Sequence, residues 1–415
     1  MDRLIPFLAS LSGLTSLALA QDTVAVTRPP LPLFTSTLTA YGEYWSNLHG
    51  GAETGSRWNT LVDFGVTLDL EHLGAPKDSA LVGQVFWVKN QRAETNLPAL
   101  TGSFNSPSGI QGSDQLRVFN LHYRQTWRAE TRVLKIGQLS ADDDFMCSAY
   151  SGLFSNGGLC TLPSQIATPL AATAHHTVAY PMYTVAGPGV FFSSQITPSF
   201  SWQIGLYHGG PGPDEKRNHG FDWESSSVAG TVTFIETTWE GQLAGRDSTF
   251  HLGGIYHTGT FDDFNALNNG QPDATQRGLV SFYASQDLVL IRLNEKRPTL
   301  AAFWHFGVSP QHARSVSTVS ADAGLNWFGP FPARPADNAG LAVVWTKFGH
   351  AYRTFVGSDI LAHTETALEL TYRAQLSDHW AVQADLQLLD NPSDASATGS
   401  HRTATVVGLR TELSF

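Results

Sequence analysis

The sequence predicts an all-β protein, a 16-stranded antiparallel transmembrane β-barrel with short periplasmic turns and long extracellular loops. Three observations predict it. Blocks of residues alternate strictly between apolar and polar, the connections between blocks alternate between long and short, and beyond residue 20 no apolar run is long enough for a membrane helix.

The alternation is clearest at the C-terminus. Thr405, Val407, Leu409, Thr411, Leu413 and Phe415 fall on one face of a strand, and Val406, Gly408, Arg410, Glu412 and Ser414 on the other, because a strand turns its side chain over at every residue. Upstream, Trp380, Val382, Ala384, Leu386 and Leu388 oppose Gln383, Asp385 and Gln387. Leu368, Leu370 and Tyr372 oppose Glu365, Glu369, Thr371 and Arg373. Near the start, Val62, Phe64, Val66, Leu68 and Leu70 oppose Asp63, Gly65, Thr67, Asp69 and Glu71. A soluble sandwich turns its apolar face inward, whereas a membrane barrel turns it toward lipid and its polar face toward a lumen. Periodicity alone leaves both open.

The connections favour the barrel. Strands are expected near 35–46, 59–71, 80–90, 116–128, 131–139, 185–196, 199–208, 227–239, 248–259, 278–290, 299–308, 320–329, 339–349, 364–375, 379–389 and 404–415. Each has roughly the 9–11 residues a tilted membrane strand needs. The odd connections are long, at 47–58, 91–115, 140–184, 209–226, 260–277, 309–319, 350–363 and 390–403. The even ones are mostly short, as at Ala129-Glu130, Thr197-Pro198 and the turn holding Ser377-Asp378. A sandwich has no reason to alternate in this way. Trp45, Trp58, Trp87, Trp127, Trp202, Trp239, Trp327, Trp345 and Trp380 lie mostly near the expected strand ends, where an interfacial girdle would place them.

The chain reads as one domain behind a leader. The apolar stretch Leu4 to Leu17 followed by Ala18-Leu19-Ala20 reads as a cleaved secretory signal peptide over 1–20. Residues 21–34, with Pro29-Pro30 and Pro32, form a short lead-in, and 35–415 the barrel. Export and a barrel together place the protein in the outer membrane of a Gram-negative cell, in contact with outer-membrane lipid and lipopolysaccharide. Charged residues make up 15% of the chain, below the roughly 25% of soluble domains. The formal net charge of −11 excludes a nucleic-acid partner, which needs a basic surface. Cys147 and Cys160 form a candidate disulfide that would stiffen a loop in an oxidising compartment.

Several stretches resemble the carbohydrate-selective porin family, often called OprB-like. One is Gly307-Val308-Ser309-Pro310, then Ala323-Gly324-Leu325, then Gly329-Pro330-Phe331-Pro332-Ala333-Arg334-Pro335-Ala336-Asp337-Asn338. Others are Gln383-Ala384-Asp385-Leu386-Gln387 before Asn391-Pro392, Leu252-Gly253-Gly254-Ile255-Tyr256-His257-Thr258-Gly259, and Leu134-Lys135-Ile136-Gly137-Gln138-Leu139 before Asp142-Asp143-Asp144-Phe145 and Phe154-Ser155-Asn156. The resemblance spans most of 35–415. Ala384 stands where the family usually has proline, and Ser393 where it has glycine after Asn391-Pro392. The resemblance implies a pore passing monosaccharides such as glucose and other small polar solutes. The final Phe415 is similar to the terminal aromatic that the barrel-assembly machinery reads in outer-membrane proteins.

A pore needs a constriction and lining groups that exchange hydrogen bonds with a passing solute, not a catalytic group. The long connection 140–184 is the candidate to fold inward, with Asp142, Asp143 and Asp144 at the eyelet. On the strands, Asp63, Asp69, His122, Arg124, Glu365, Glu369, Arg373, Asp385, Gln387, Arg410 and Glu412 are expected to face the lumen. They are read either as solute contacts or as internal pairs that stiffen the wall. Arg334 and Asp337 are expected to organise a periplasmic turn. His175-His176, His251 and His257 lack ligand spacing for a metal, and neither metal nor cofactor is expected. Three alternatives stay open: a general non-selective pore, a plugged barrel, and a secreted or outer-membrane β-rich hydrolase with two carboxylates roughly 5–9.5 Å apart. A homo-oligomer is compatible with the pattern.

Overall fold

A computed structural model describes residues 32–90, 96–128, 130–159, 179–293, 298–357, 361–393 and 402–415. The expected signal peptide 1–20, nearly all of the lead-in, Cys160 and His175-His176 lie outside the described residues.

Sixteen strands follow one another: β1 (Phe34–Gly51), β2 (Gly55–Asp69), β3 (Ser79–Asn90), β4 (Gln115–Trp127), β5 (Arg132–Leu139), β6 (Gly187–Thr197), β7 (Phe200–His208), β8 (Thr231–Leu243), β9 (Arg246–Asp262), β10 (Thr275–Ile291), β11 (Leu300–Val308), β12 (Ser317–Phe328), β13 (Asn338–Phe348), β14 (Thr364–Ser377), β15 (Trp380–Asp390) and β16 (Arg402–Ser414). Every strand pairs antiparallel with its sequence neighbours, and β1 pairs with β16, so the sheet closes on itself. Closure satisfies every backbone ladder and leaves no edge, as a sheet in lipid must.

The two faces separate as the alternation requires. Leu368, Leu370, Leu386, Leu388, Leu409 and Leu413 are exposed on the outer surface, while Glu365, Glu369, Asp385, Gln387 and Arg410 are buried inside. That polarity is the reverse of a sandwich, whose apolar face would be the covered one. An outer band this apolar exceeds what a soluble surface carries. Trp58, Trp87, Trp127, Trp239, Trp327 and Trp380 all belong to the exposed outer face, but Trp45 does not join them: it is fully buried inside, against Leu97, Leu100 and Phe154.

Two connections differ from expectation. The first outer connection is not long: β1 runs to Gly51 and β2 begins at Gly55. The Asn47 side-chain amide donates to the carbonyls of Gly50 and Glu53, at 2.8 Å each, and ties the hairpin shut. At the opposite end, 240–247 is mostly strand, because pairing continues to Gln242 with Asp247 and Leu243 with Arg246. The turn is Ala244-Gly245, with φ of 52° and 75°, the conformation that matches the twist of a two-residue hairpin.

Long connections gather at one end and, among the described residues, carry three short helices, α1 (Leu97–Thr101), α2 (Phe264–Asn268) and α3 (His350–Val356). Phe264 of α2 packs on Tyr352 of α3 at 5.1 Å between ring centroids, over Val316, Phe348 and Leu361. Inside the wall, large rings lie flat on glycine. Trp45 sits opposite Gly408 and Tyr283 opposite Gly253, and a Cβ on either glycine would overlap the facing ring.

Candidate functional site

The wall carries a row of inward-facing carboxylates that hold loop backbone. On β14, Glu365 accepts the backbone N–H groups of Phe104 at 2.8 Å and Asn105 at 2.6 Å, and that of Ser393 at 2.7 Å. Two pleat repeats further along, Glu369 accepts those of Ser155 and Asn156 at 2.7 and 2.8 Å. On β10, Asp287 accepts Ala149 N–H at 2.7 Å, and on β8 Glu236 accepts Met146 N–H at 2.7 Å. A carboxylate that receives two backbone donors is a strong, directional anchor.

Neutral groups complete the clamp. Gln387 donates to Pro107 O at 2.8 Å, Gln383 to Leu153 O at 2.8 Å, and Asn326 to Tyr150 O at 2.8 Å. The backbone from Met146 to Asn156 is therefore held by β8, β10, β12, β14 and β15, the wall across the lumen from the strand it leaves. The inward fold expected for 140–184 is present over its described part, 140–159 and 179–184. Its apolar side chains Phe145 and Met146 pack against Tyr180, Phe191, Tyr207, Phe234 and Tyr283.

A second inward loop was not expected. Residues 96–114 also enter the barrel, where Leu97 and Leu100 of α1 pack with Trp45, Phe154 and Phe303. Ser108 donates to Glu43, which also forms an ion pair with Arg410 at 2.5 Å between β1 and β16. Sequence reading missed this loop because its anchors, Glu365 and Glu43, are remote in the chain. It likewise missed Glu43, Glu236, Asp287 and Lys135, although strand parity places each on the polar face.

The predicted lining residues divide into two groups. Glu365, Glu369 and Gln387 face inward but are fully covered, and their polar atoms hold loops. Asp385 and Arg410 are nearly covered as well. Asp142 is buried and accepts Tyr183 N–H at 2.9 Å, so it folds its own loop and does not face the lumen. His122 is buried, and its Nδ1 has no hydrogen-bond partner among the described residues. These positions correct the expectation that they line open water, because the incoming loops cover them.

Arg124, Asp143, Asp144 and Arg373 remain partly open. Arg124 sits opposite Lys135 on the adjacent strand, and the Lys135 ammonium donates to Asp144 at 2.6 Å. Asp143 accepts from Asn120 at 2.6 Å; Asn120 also donates to Gln84 at 2.7 Å, and Gln84 to Asp63 at 2.9 Å. A strip of cations on β4 and β5 thus faces a strip of carboxylates on the loop and β2. Enclosure raises the Asp143 carboxyl to about 8, and the neighbouring Asp142 adds to the rise. Arg373 pairs with Glu412 at 3.0 Å.

Arg334 and Asp337 do organise the turn between β12 and β13: the guanidinium donates to both carboxylate oxygens, and Gln375 N–H and Tyr372 OH donate to the same group. His251 bonds Thr238 and Glu236, and His257 accepts Gly259 N–H. Among the described residues no group of His, Cys, Asp and Glu side chains is arranged to hold a metal.

A closed sixteen-stranded barrel with an apolar exterior, a polar interior and loops folded into its lumen is an outer-membrane channel of the porin class. The model of the carbohydrate-selective porin OprB family matches residues 56–415, and the chain belongs to that family. It is 23% identical to Porin B of Pseudomonas aeruginosa, over 90% of this chain and 86% of that protein. A solved high-pH structure of Pseudomonas putida OprB superposes with a TM-score of 0.77 at 21% identity, covering 92% of this chain and 94% of that one. The Salmonella typhi OmpF fold is also similar, with a TM-score of 0.54 at 11% identity, covering 92% of each chain.

Proposed function

We propose that this porin passes monosaccharide-sized carbohydrates into the periplasm by diffusion, and that the facing strips of Arg124 and Lys135 against Asp143 and Asp144 form its eyelet. The observation that carries this reading is the clamped loop. Its backbone is fixed to the far wall from Met146 to Asn156, so its acidic start is held against β4 and β5. Paired donors and acceptors at fixed separation suit sugar hydroxyls, which donate and accept at once. Wall pairs buried beneath the loops set the size of the opening and do not touch solute.

The surrounding expectations fit this role. Residues 1–20 act as an export signal, the outer surface meets lipid and lipopolysaccharide, and Phe415 serves insertion by the assembly machinery. Cys147 is a free thiol in this structure; its oxidation to a bridge with Cys160 would tether the inward loop to its own continuation.

Liposomes carrying the protein are expected to swell faster in glucose than in a disaccharide of equal osmolarity. Equal rates would replace a selective eyelet by a wide general pore. A second reading, a barrel plugged by its two inward loops, is favoured by the dense packing around Phe145 and Leu100. Planar-bilayer recordings without open-channel steps would establish the plug and defeat the pore.

A further inference from the structure

The outer wall carries a recess of about 450 Å³ at the short-turn end, lined by Trp127, Arg128, Arg132 and Phe192. We propose that it binds the phosphate headgroup of an anionic glycerophospholipid in the inner leaflet of the outer membrane.

Register builds the site. Trp127 at the end of β4 is directly opposite Arg132 on β5, Arg132 is opposite Ser194 on β6, and Ser194 is opposite Trp202 on β7. These residues form a row across the outer face just inside the turn. The next row toward the membrane centre is Leu134, Phe192 and Ile204. The rings of Phe192 and Trp202 meet at 5.6 Å between centroids. A polar row at the interface, two cations and an apolar track leading inward match a lipid: headgroup against the guanidiniums, acyl chain along Leu134, Phe192 and Ile204. Tryptophan is the residue that sits at headgroup depth.

The arginines carry the specificity. Arg292 and Arg334, on other turns at this end, each have an acidic partner, Asp247 at 2.8 Å and Asp337. Among the described residues, Arg128 and Arg132 form no ion pair. Glu130 shares their turn, and the neighbouring turn carries Glu71, Lys77 and Asp78, with Glu71 accepting Asp78 N–H at 3.2 Å, so what marks the two guanidiniums is their lack of an acidic contact, not a local excess of charge. On a chain of net charge −11, unpaired cations on a lipid-facing surface call for an external anion. The guanidinium fork donates to two oxygens of one phosphate.

The test is native mass spectrometry of the detergent-solubilised protein with phosphatidylglycerol and with phosphatidylcholine of the same acyl chains. The expected result is retention of one phosphatidylglycerol with a preference on the order of tenfold. The variant Arg128→Asn/Arg132→Gln is expected to lose that preference. Asparagine is chosen because residue 128 has a φ of 52°, which asparagine tolerates. Arg128→Lys/Arg132→Lys is expected to keep most of it. Heat-modifiable migration and single-channel conductance, both unchanged, would show that the variants are folded. Undiminished phosphatidylglycerol retention by the neutral double variant would overturn the site. Displacement of the lipid by equimolar inorganic phosphate would also overturn it, in favour of a free-anion site.

Discussion

At the scale of single residues, the decisive distinction is between carboxylates that hold loop backbone and carboxylates that keep an open side. Both kinds lie on the polar face of a strand or at the head of the same loop, and the sequence gives them one pattern. Asp142 and Asp143 are adjacent, yet Asp142 accepts a backbone N–H and is buried, whereas Asp143 accepts from Asn120 and keeps an open side. Because enclosure lifts Asp143 to about 8, it is neutral in the folded protein over much of the range where an unfolded chain would ionise it. The folded state then binds the extra proton, so this group favours folding at acid pH. Its contribution is lost as pH rises from the ordinary aspartate range, near 4, through about 8. The cation preference of the channel is expected to rise over the upper part of the same interval. Reversal potentials in a salt gradient at pH 6 and pH 9 measure this. An Asp143→Asn variant should hold the low-pH selectivity at both values, and a wild-type selectivity flat with pH would remove Asp143 from the eyelet.

At the scale of elements, strands were legible and loops were not. A two-residue period needs only neighbours to be read, which is why the expected 364–375 and 379–389 appear as Thr364–Ser377 and Trp380–Asp390. The inward course of residues 96–114 depends on Glu365 receiving Phe104 and Asn105 across some 260 positions of sequence, and no local pattern encodes such a partner. One signal was present in hindsight: fully inward glutamates on a barrel wall must be satisfied, and no cation lies opposite Glu365 or Glu369 on the paired strands. Glu369→Gln tests the clamp as an element. The substitution replaces one acceptor oxygen by a donor that faces the N–H of Ser155 or Asn156, leaving a buried donor unsatisfied at a cost of about 1–3 kcal/mol. The inward loop is expected to loosen, with larger and noisier single-channel conductance and weaker discrimination between glucose and a disaccharide. Conductance and discrimination identical to wild type would mean that the remaining contacts, at Asp287 and Glu236, suffice to place the loop.

At the scale of the whole molecule, the barrel exists because its first and last strands meet. Phe415 takes part twice. Its backbone N–H donates to Leu38 O at 2.9 Å and its carbonyl accepts Leu38 N–H at 3.0 Å, closing the seam at its lower end. Its ring is exposed on the outer face and stacks on His379 at 5.2 Å between centroids. The two roles separate by experiment. Deleting Phe415 removes both backbone bonds, about 1 kcal/mol each, together with the ring; Phe415→Ala removes the ring and keeps the bonds. The seam also holds a long register from Thr39 with Ser414 to Asn47 with Val406, and the Glu43–Arg410 ion pair. Neither change should therefore prevent refolding of purified protein into detergent or lipid. In cells, both variants are expected to reach the outer membrane at several-fold lower levels, measured as the heat-modifiable fraction in isolated membranes. If Phe415→Ala assembles as well as wild type and only the deletion fails, the terminal residue acts through the seam, and the aromatic ring is not what the assembly machinery reads.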